Sequence, residues 1–355
     1  MAKVLMKGTE AIAEAAIQAG CRYFYGYPIT PQNEIPEHMS TRLPQIGGVY
    51  LQSESEVASI NMLMGGAATG YRVMTTSSSP GISLMAEGMS YLAMGELPCV
   101  IVNISRAGPG LGGILPAQGD YFQATRNAGH GDYRILVLAP DTLQEAVDLV
   151  QDAFDLSQKY RTPVMLLADG FMGQMMEAVE IQERTIEEPK ANAEWALGWR
   201  KERGGKRAVI YNLKLAPNDL EQRVGELQKK YEVIRQNEQR CERYRVDDAE
   251  LVAVAYGTTS RMVRTAVDQL REEGLKVGML RPISLWPYPV KHFSLPSSVR
   301  ALLDVEMSSE FQMLEDVKLA TECRLPVATC ARWGGNAPSV SEIENKCRDL
   351  LNSSR

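Results

Sequence analysis

The chain has 355 residues, 45% of them hydrophobic and 23% charged, with a formal net charge of −6 at pH 7. That length suits two or three globular domains, and the acidic balance argues against a nucleic-acid or anionic-membrane surface. No uncharged apolar run reaches the ~18 residues of a membrane helix, and acidic residues come too early for a signal peptide, so a cytoplasmic protein is expected.

GTEAIAEAAIQAG (8–20) is Ala-rich with helical periodicity and a glycine at the C-cap position. YFYGYP (23–28) reads as a short buried strand. Pro28 and Pro31 of YPITP then bias Tyr27 and Thr30 towards extended geometry. Such a turn either leads into a helix capped by Thr30, Gln32 or Asn33, or fixes the Thr30 hydroxyl for another purpose. GGVYLQ (47–52) is a second strand, and SESEVASINMLMGGAATG has the Ser/Glu start of a helix. RVMTTSSSPG is strand then turn, ISLMAEGMSYLAMGE is helix, and LPCVIVNISRAGPG is strand then loop. Residues 133–169 repeat strand, helix, strand. This alternation predicts an α/β fold, a doubly wound parallel sheet covered on both faces.

Residues 184–248 change character. They are polar and irregular, then form a charged helix, and are expected to be a linker plus surface helix. From 249 a strand–helix–strand pattern restarts, so a second α/β domain is expected over 249–355. The six cysteines show no C-x-x-C and no cluster spacing, which predicts buried reduced thiols rather than an iron–sulfur site.

In open parallel sheets ligands bind beyond the carboxyl ends of the strands. Four segments fall there: YPITPQNE, QSESE, TSSSPG and SRAGPGLGGILPAQGD. Each alone has a plain reading: a turn, an acidic helix start, a glycine loop, a surface arginine. There is no phosphate-loop spacing among them.

Taken in order, YPITP, QSESEVAS, TSSSPGISLMAEG, ISRAGPG and HGDYR, followed by AYGTTS and LRPISLWPYP, form a specific set. With it the chain resembles the α subunits of the thiamine-diphosphate-dependent 2-oxoacid:ferredoxin oxidoreductases, of the branched-chain 2-oxoacid or 2-oxoglutarate type. The resemblance implies a pyrimidine-binding-type domain over 1–183 and a transketolase C-terminal-like domain over 249–355. It implies that Glu56 meets the aminopyrimidine of the cofactor; Glu54 is the alternative, since it matches the Q-S-E wording of some relatives although its helix register is two residues off. Gly65, Gly70 and Gly81 fall where the family's glycines fall. Pro28, Ile29 and Ser79 are the further cofactor contacts it implies, and Thr30 and Arg106 the catalytic, substrate-contacting pair.

A guanidinium matches a 2-oxoacid carboxylate, and a hydroxyl can donate to the 2-oxo oxygen as charge develops there. No basic residue follows Arg106 until Arg126, whereas Ile114 and Leu115 offer apolar surface. That suits a branched side chain, at ~0.8 kcal/mol per buried CH₂, better than 2-oxoglutarate, the second choice. Ile114 and Leu115 have the alternative role of subunit interface, and His130 of either lining the site or ordering a loop.

The sequence has no Gly-Asp-Gly, the family's mark of the Mg²⁺–diphosphate half-site. The resemblance therefore implies a β subunit that carries Mg²⁺ and the diphosphate, and a γ-type or ferredoxin-like subunit that carries [4Fe-4S] clusters. Coenzyme A would take the acyl group and ferredoxin the electrons. A free-standing transketolase-like enzyme and a non-catalytic scaffold are the competing classes. The missing Gly-Asp-Gly counts against the first, and the retained Thr30, Glu56 and Arg106 against the second.

Overall fold

The computed structural model describes residues 3–184 and 189–353. Four residues of the expected linker, 185–188, thus lie outside the described residues. In chain order the first half runs β1 (Val4–Lys7), α1 (Gly8–Gln18), β2 (Tyr23–Gly26), α2 (Glu34–Gln45), β3 (Val49–Gln52), α3 (Glu56–Ala68), β4 (Val73–Ser77) and α4 (Ser79–Met94). It continues with β5 (Cys99–Ser105), α5 (Tyr121–Thr125), β6 (Leu136–Leu138), α6 (Leu143–Tyr160), β7 (Pro163–Asp169), α7 (Gly170–Gln174) and β8 (Met176–Val179). The second half holds α8 (Pro217–Asn237), β9 (Cys241–Tyr244), β10 (Leu251–Val254), α9 (Thr258–Glu272), β11 (Val277–Pro282) and β12 (Ser284–Trp286). It ends with β13 (Ala301–Glu306), α10 (Gln312–Ala320), β14 (Val327–Ala331) and α11 (Val340–Ser353).

The main sheet has the order β12-β6-β7-β5-β4-β2-β3, parallel except for β12. The chain leaves β2 outward to β3, then returns to β4 on β2's other side and continues to β5. That reversal is a topological switch point, and it opens a crevice at the carboxyl ends of β2 and β4. The strands β4, β5 and β7 are buried along their whole length. Burial along the whole strand is what a parallel sheet covered on both faces requires.

Three features depart from the sequence expectation. A two-stranded antiparallel ribbon joins β1 to β8. Each strand is four residues long and the partner is remote, so no local pattern announces the pair. Strand β9 lies within the stretch read as linker and helix, yet it is the antiparallel edge of the second sheet, β14-β13-β10-β11-β9. Its charged sequence, CERY, suits a half-exposed edge and hides the strand from an apolar pattern. Finally, β12 comes from the second half but closes the first sheet, Ser284 pairing with Leu138.

The two sheets are also tied by charge. Arg281, 5% exposed, binds both carboxylate oxygens of Glu145 at 2.7 and 2.9 Å, and its Nε reaches Glu242 at 2.7 Å and Asp141 at 3.4 Å. Arg264 adds contacts to Glu242 at 2.7 Å and Asp141 at 3.7 Å. Three carboxylates thus share two guanidiniums. Burial pushes the Asp141 carboxyl from its usual 3.8 up to about 6; Arg281 pulls it down, and Glu145 and Glu242 push it up again.

Between about pH 4 and pH 6 the folded chain therefore keeps a proton on Asp141 that the unfolded chain releases. This site's contribution to stability falls as pH rises through that window. Asp141→Asn removes the excess charge. It is expected to raise the melting temperature in calorimetry at pH 7.5 by about 2–4 °C, and to leave it nearly unchanged near pH 4.5. A lower melting temperature at pH 7.5 would contradict this.

Candidate active site

Four loops meet at the switch-point crevice because four neighbouring strands end there. β3 leads into Ser53–Ser55 and then α3. Ser55 caps that helix, its Oγ accepting from the Ala58 N–H at 3.2 Å. Glu56 is therefore the first helical residue, where unpaired backbone N–H groups favour negative charge. Its side chain is 5% exposed and makes no hydrogen bond or ion pair among the described residues. Glu54 lies outside the helix, exposed, and accepts from the Ser55 hydroxyl at 2.8 Å.

The carboxylate of Glu56 rests against the first turn of α4. A Cβ at Gly81 would lie 2.6 Å from Glu56 Oε1 and would collide with Ser77 Oγ. Two turns further on, a Cβ at Gly88 would meet Ile60 Cγ1 at 2.5 Å. The pair Gly81 and Gly88 thus lets α4 lie close on α3.

Arg106 follows β5 directly and is 9% exposed. It donates from one terminal nitrogen to the Thr30 carbonyl at 2.9 Å and from the other to the Leu111 carbonyl at 3.4 Å. Its buried Nε has no partner. A guanidinium has five N–H donors; with two used and the Nε–H enclosed, one on each terminal nitrogen remains for a ligand, and no carboxylate among the described residues forms an ion pair with it. Thr30 is exposed and its hydroxyl accepts from Asn33 Nδ2 at 3.5 Å, while α2 has no side-chain cap bond at its N-cap, Asn33. The Thr30–Pro31 peptide is cis. Thr30 and Arg106 are therefore brought together, and Glu56 joins them through α4, whose Ser79 touches Arg106 and whose Gly81 touches Glu56.

The other expected residues divide. Pro28 is exposed and Ile29 half-buried, both on the loop after β2. Ser79, expected as a cofactor contact, instead has its hydroxyl turned inward to Asp120 Oδ2 at 2.6 Å and to the Arg106 N–H at 2.9 Å. Ile114 and Leu115 are 60% and 56% exposed, beside Leu111 at 87%. Leu115 also packs against the loop at Gly335. His130 is exposed, its carbonyl bonded to Ser90 and its ring edge-on to Tyr91, far along α4 from the crevice, so it orders a loop.

Sequence reasoning passes over Asn103, Gln118 and Asp120. The signal for Asn103 is a single amide inside the seven-residue apolar strand CVIVNIS. Gln118 is clasped by the second half. Its side chain donates to the Tyr256 carbonyl at 2.8 Å and accepts from the Met307 N–H at 2.9 Å, and its own N–H donates to the Met307 carbonyl at 3.0 Å.

Residues 14–246 match the family model described as "Pyruvate flavodoxin/ferredoxin oxidoreductase, thiamine diP-bdg", and residues 249–343 match "Pyruvate:ferredoxin oxidoreductase core domain II". The chain belongs to the 2-oxoacid:ferredoxin oxidoreductase family. It is 46% identical to the ketoisovalerate oxidoreductase subunit VorB of Methanothermobacter marburgensis, over 100% of this chain and 99% of that one. It is 37% identical to the 2-oxoglutarate synthase subunit KorA of Methanocaldococcus jannaschii, over 80% and 83%. Among solved structures it resembles 2-oxoglutarate:ferredoxin oxidoreductase from Magnetococcus marinus with 2-oxoglutarate, coenzyme A and succinyl-CoA bound. There the identity is 25% and the TM-score 0.87; the match covers 98% of this chain and 65% of that longer one. A split-gene transketolase, at 11% identity and TM-score 0.58, shares the fold alone.

For an oxidoreductase of this family the crevice is chemically suited to thiamine diphosphate. An unpartnered carboxylate at a helix start is what a protonated ring nitrogen needs, and the cradle that Gly81 leaves keeps that carboxylate in place. Gly65, by contrast, has an ordinary backbone, and a Cβ added there would meet nothing within 4 Å. Gly65→Ala is therefore expected to be neutral or to stabilise by about 0.5–1 kcal/mol, whereas Gly81→Ala should destabilise by about 1–3 kcal/mol through overpacking. Chemical denaturation of the two variants checks the contrast, and equal midpoints would refute it.

Proposed function

We propose that this chain is the pyrimidine-side subunit of a coenzyme A-dependent 2-oxoacid:ferredoxin oxidoreductase whose preferred substrate is a branched-chain 2-oxoacid such as 3-methyl-2-oxobutanoate. The observation that carries the reading is the pairing of two unmet charges in one crevice: Glu56 without a cation and Arg106 without an anion. Thiamine diphosphate supplies the electron sink that lets a 2-oxoacid lose CO₂. Glu56 would hold a proton against the aminopyrimidine N1′ of that cofactor. Arg106 would clamp the substrate carboxylate with its remaining N–H donors, and the Thr30 hydroxyl would donate to the 2-oxo oxygen.

The loop after Arg106 supports the branched-chain substrate. Arg126, the next cation in sequence, is engaged by Asp316 at 3.0 Å and Glu315 at 3.9 Å, so it is not free for a second substrate carboxylate. Ile114, Leu115 and Leu111 offer apolar surface on that loop. The 46% identity to a ketoisovalerate oxidoreductase subunit points the same way.

Partner chains complete this reading. A β subunit would bring Mg²⁺ and the diphosphate site, and an iron–sulfur subunit of γ-type or ferredoxin-like character would bring the [4Fe-4S] clusters that pass electrons to ferredoxin. Among the described residues no helix is long and apolar enough to cross a membrane.

The test is a panel of 2-oxoacids assayed by viologen reduction with the co-expressed complex and with the chain alone. The complex should turn over branched-chain 2-oxoacids best and the isolated chain none. Glu56→Gln should lower kcat in the complex by more than about 100-fold with assembly intact, while Glu54→Gln stays near wild type. Activity kept in Glu56→Gln and lost in Glu54→Gln would move the role to the neighbouring carboxylate.

A further inference from the structure

Behind Arg106 lies a closed ring of hydrogen bonds that the reading above leaves unused. Asn103 is fully buried in β5. Its Oδ1 accepts from the Ser79 N–H at 3.2 Å, and its Nδ2 donates to Asp120 Oδ2 at 2.9 Å. The Ser79 hydroxyl donates to the same Oδ2 at 2.6 Å and accepts from the Arg106 N–H at 2.9 Å. Ser79 has a second acceptor in range, the Arg106 carbonyl at 3.3 Å, but one hydroxyl carries one proton. The shorter bond to a carboxylate is the stronger, so the proton goes to Asp120. That choice leaves a Ser79 lone pair for the Arg106 N–H.

We propose that Asp120 is a positioning residue for the Arg106 guanidinium, which it fixes through Ser79; the proposal deepens, and so rests on, the assignment of Arg106 to the substrate carboxylate. Asp120 does not bind Arg106 directly among the described residues. It instead sets the hydroxyl that holds the Arg106 main chain, while Thr30 and Leu111 carbonyls hold the side chain. Main chain and guanidinium are thus held separately, and the free N–H donors keep one direction. The next residues on the Asp120 side, through Gln118, are clasped by the second half of the chain, so the acceptor itself is fixed.

Both bonds reach one oxygen, Oδ2. An amide oxygen in that place can accept both, and the buried Ser105 hydroxyl, close enough to Asp120 to pull its carboxyl down by hydrogen bonding, can turn to accept from the amide nitrogen. The conservative variant therefore separates hydrogen-bond geometry from charge.

The experiment compares Asp120→Ala and Asp120→Asn in the assembled complex, with 3-methyl-2-oxobutanoate as substrate. Asp120→Ala should raise its KM by about tenfold with kcat within about twofold and the KM for coenzyme A unchanged. Asp120→Asn should restore the KM to within about twofold of wild type. Amide hydrogen exchange without substrate should show the Arg106 amide exchanging at least about tenfold faster in Asp120→Ala than in wild type or Asp120→Asn. If Asp120→Ala does not fold, Ser79→Ala removes the same link by one atom and should show the same KM rise. A wild-type KM in Asp120→Ala, an Asp120→Asn as impaired as Asp120→Ala, or an unchanged Arg106 amide would each overturn the proposal. Should the wild-type complex turn over no 2-oxoacid, the substrate assignment falls while the exchange measurement still decides the Asp120–Arg106 link.

Discussion

The close approach of α4 to the Glu56 carboxylate is the constraint from which the site follows. A buried carboxylate without a hydrogen-bond partner is free to rotate unless something bounds it. Here the boundary is a backbone: with no Cβ at Gly81, the first turn of α4 comes within contact of Oε1. The same helix start presents Ser79 to Arg106 two residues earlier. One helical turn therefore indexes an anion on one side and a cation on the other. The Ile60–Gly88 contact a further seven residues along keeps the two helices from parting.

Arg106 depends on more than its own loop. The stretch after it returns to pair with it at Pro116, and its continuation is held by the second sheet through Gln118. The second half of the chain thus acts on the crevice through the residues it holds in place. It also closes the main sheet with β12, and it anchors α6 through Arg281 and Glu145. Separating the halves would leave the Arg281 charge cluster and the Gln118 amide without partners, both costly when buried. Those costs bind the two sheets into one body.

What is legible in the sequence is local or periodic. The alternation of strands and helices, the Ser55–Glu56 helix start and the proline-flanked Thr30 all carry their signal within a few residues. The register argument for Glu56 over Glu54 accords with the burial of one and the exposure of the other. What stays hidden depends on partners far along the chain. The β1–β8 ribbon joins Val4 to Val179, and β12 leaves its own sheet to pair with β6. Asn103, Gln118 and Asp120 look like ordinary strand and loop residues until the residues they bind are known. Ser79 reads as facing the ligand because a serine at a helix start beside a crevice has two possible directions, and only Asn103 and Asp120 decide between them.

The chain keeps two buried or nearly buried charges apart rather than pairing them with each other or with the protein. A fold selected for stability alone would pair or remove them, since a buried ionised group without a counter-charge is destabilising. Two other guanidiniums of the same chain are paired: Arg281 meets three carboxylates, and Arg126 meets Asp316. Glu56 and Arg106 differ from those paired groups, and also from the fully buried Asp304, whose unpartnered carboxyl burial and Glu306 push well above its usual range. On the proposed reading, a ligand with a cationic ring edge against Glu56 and an anion against Arg106 would supply the stabilisation missing at the crevice. Because such a ligand binds the folded chain and not the unfolded one, occupancy itself contributes to stability. The crevice is incomplete as a folded structure for the same reason that it is ready as a site.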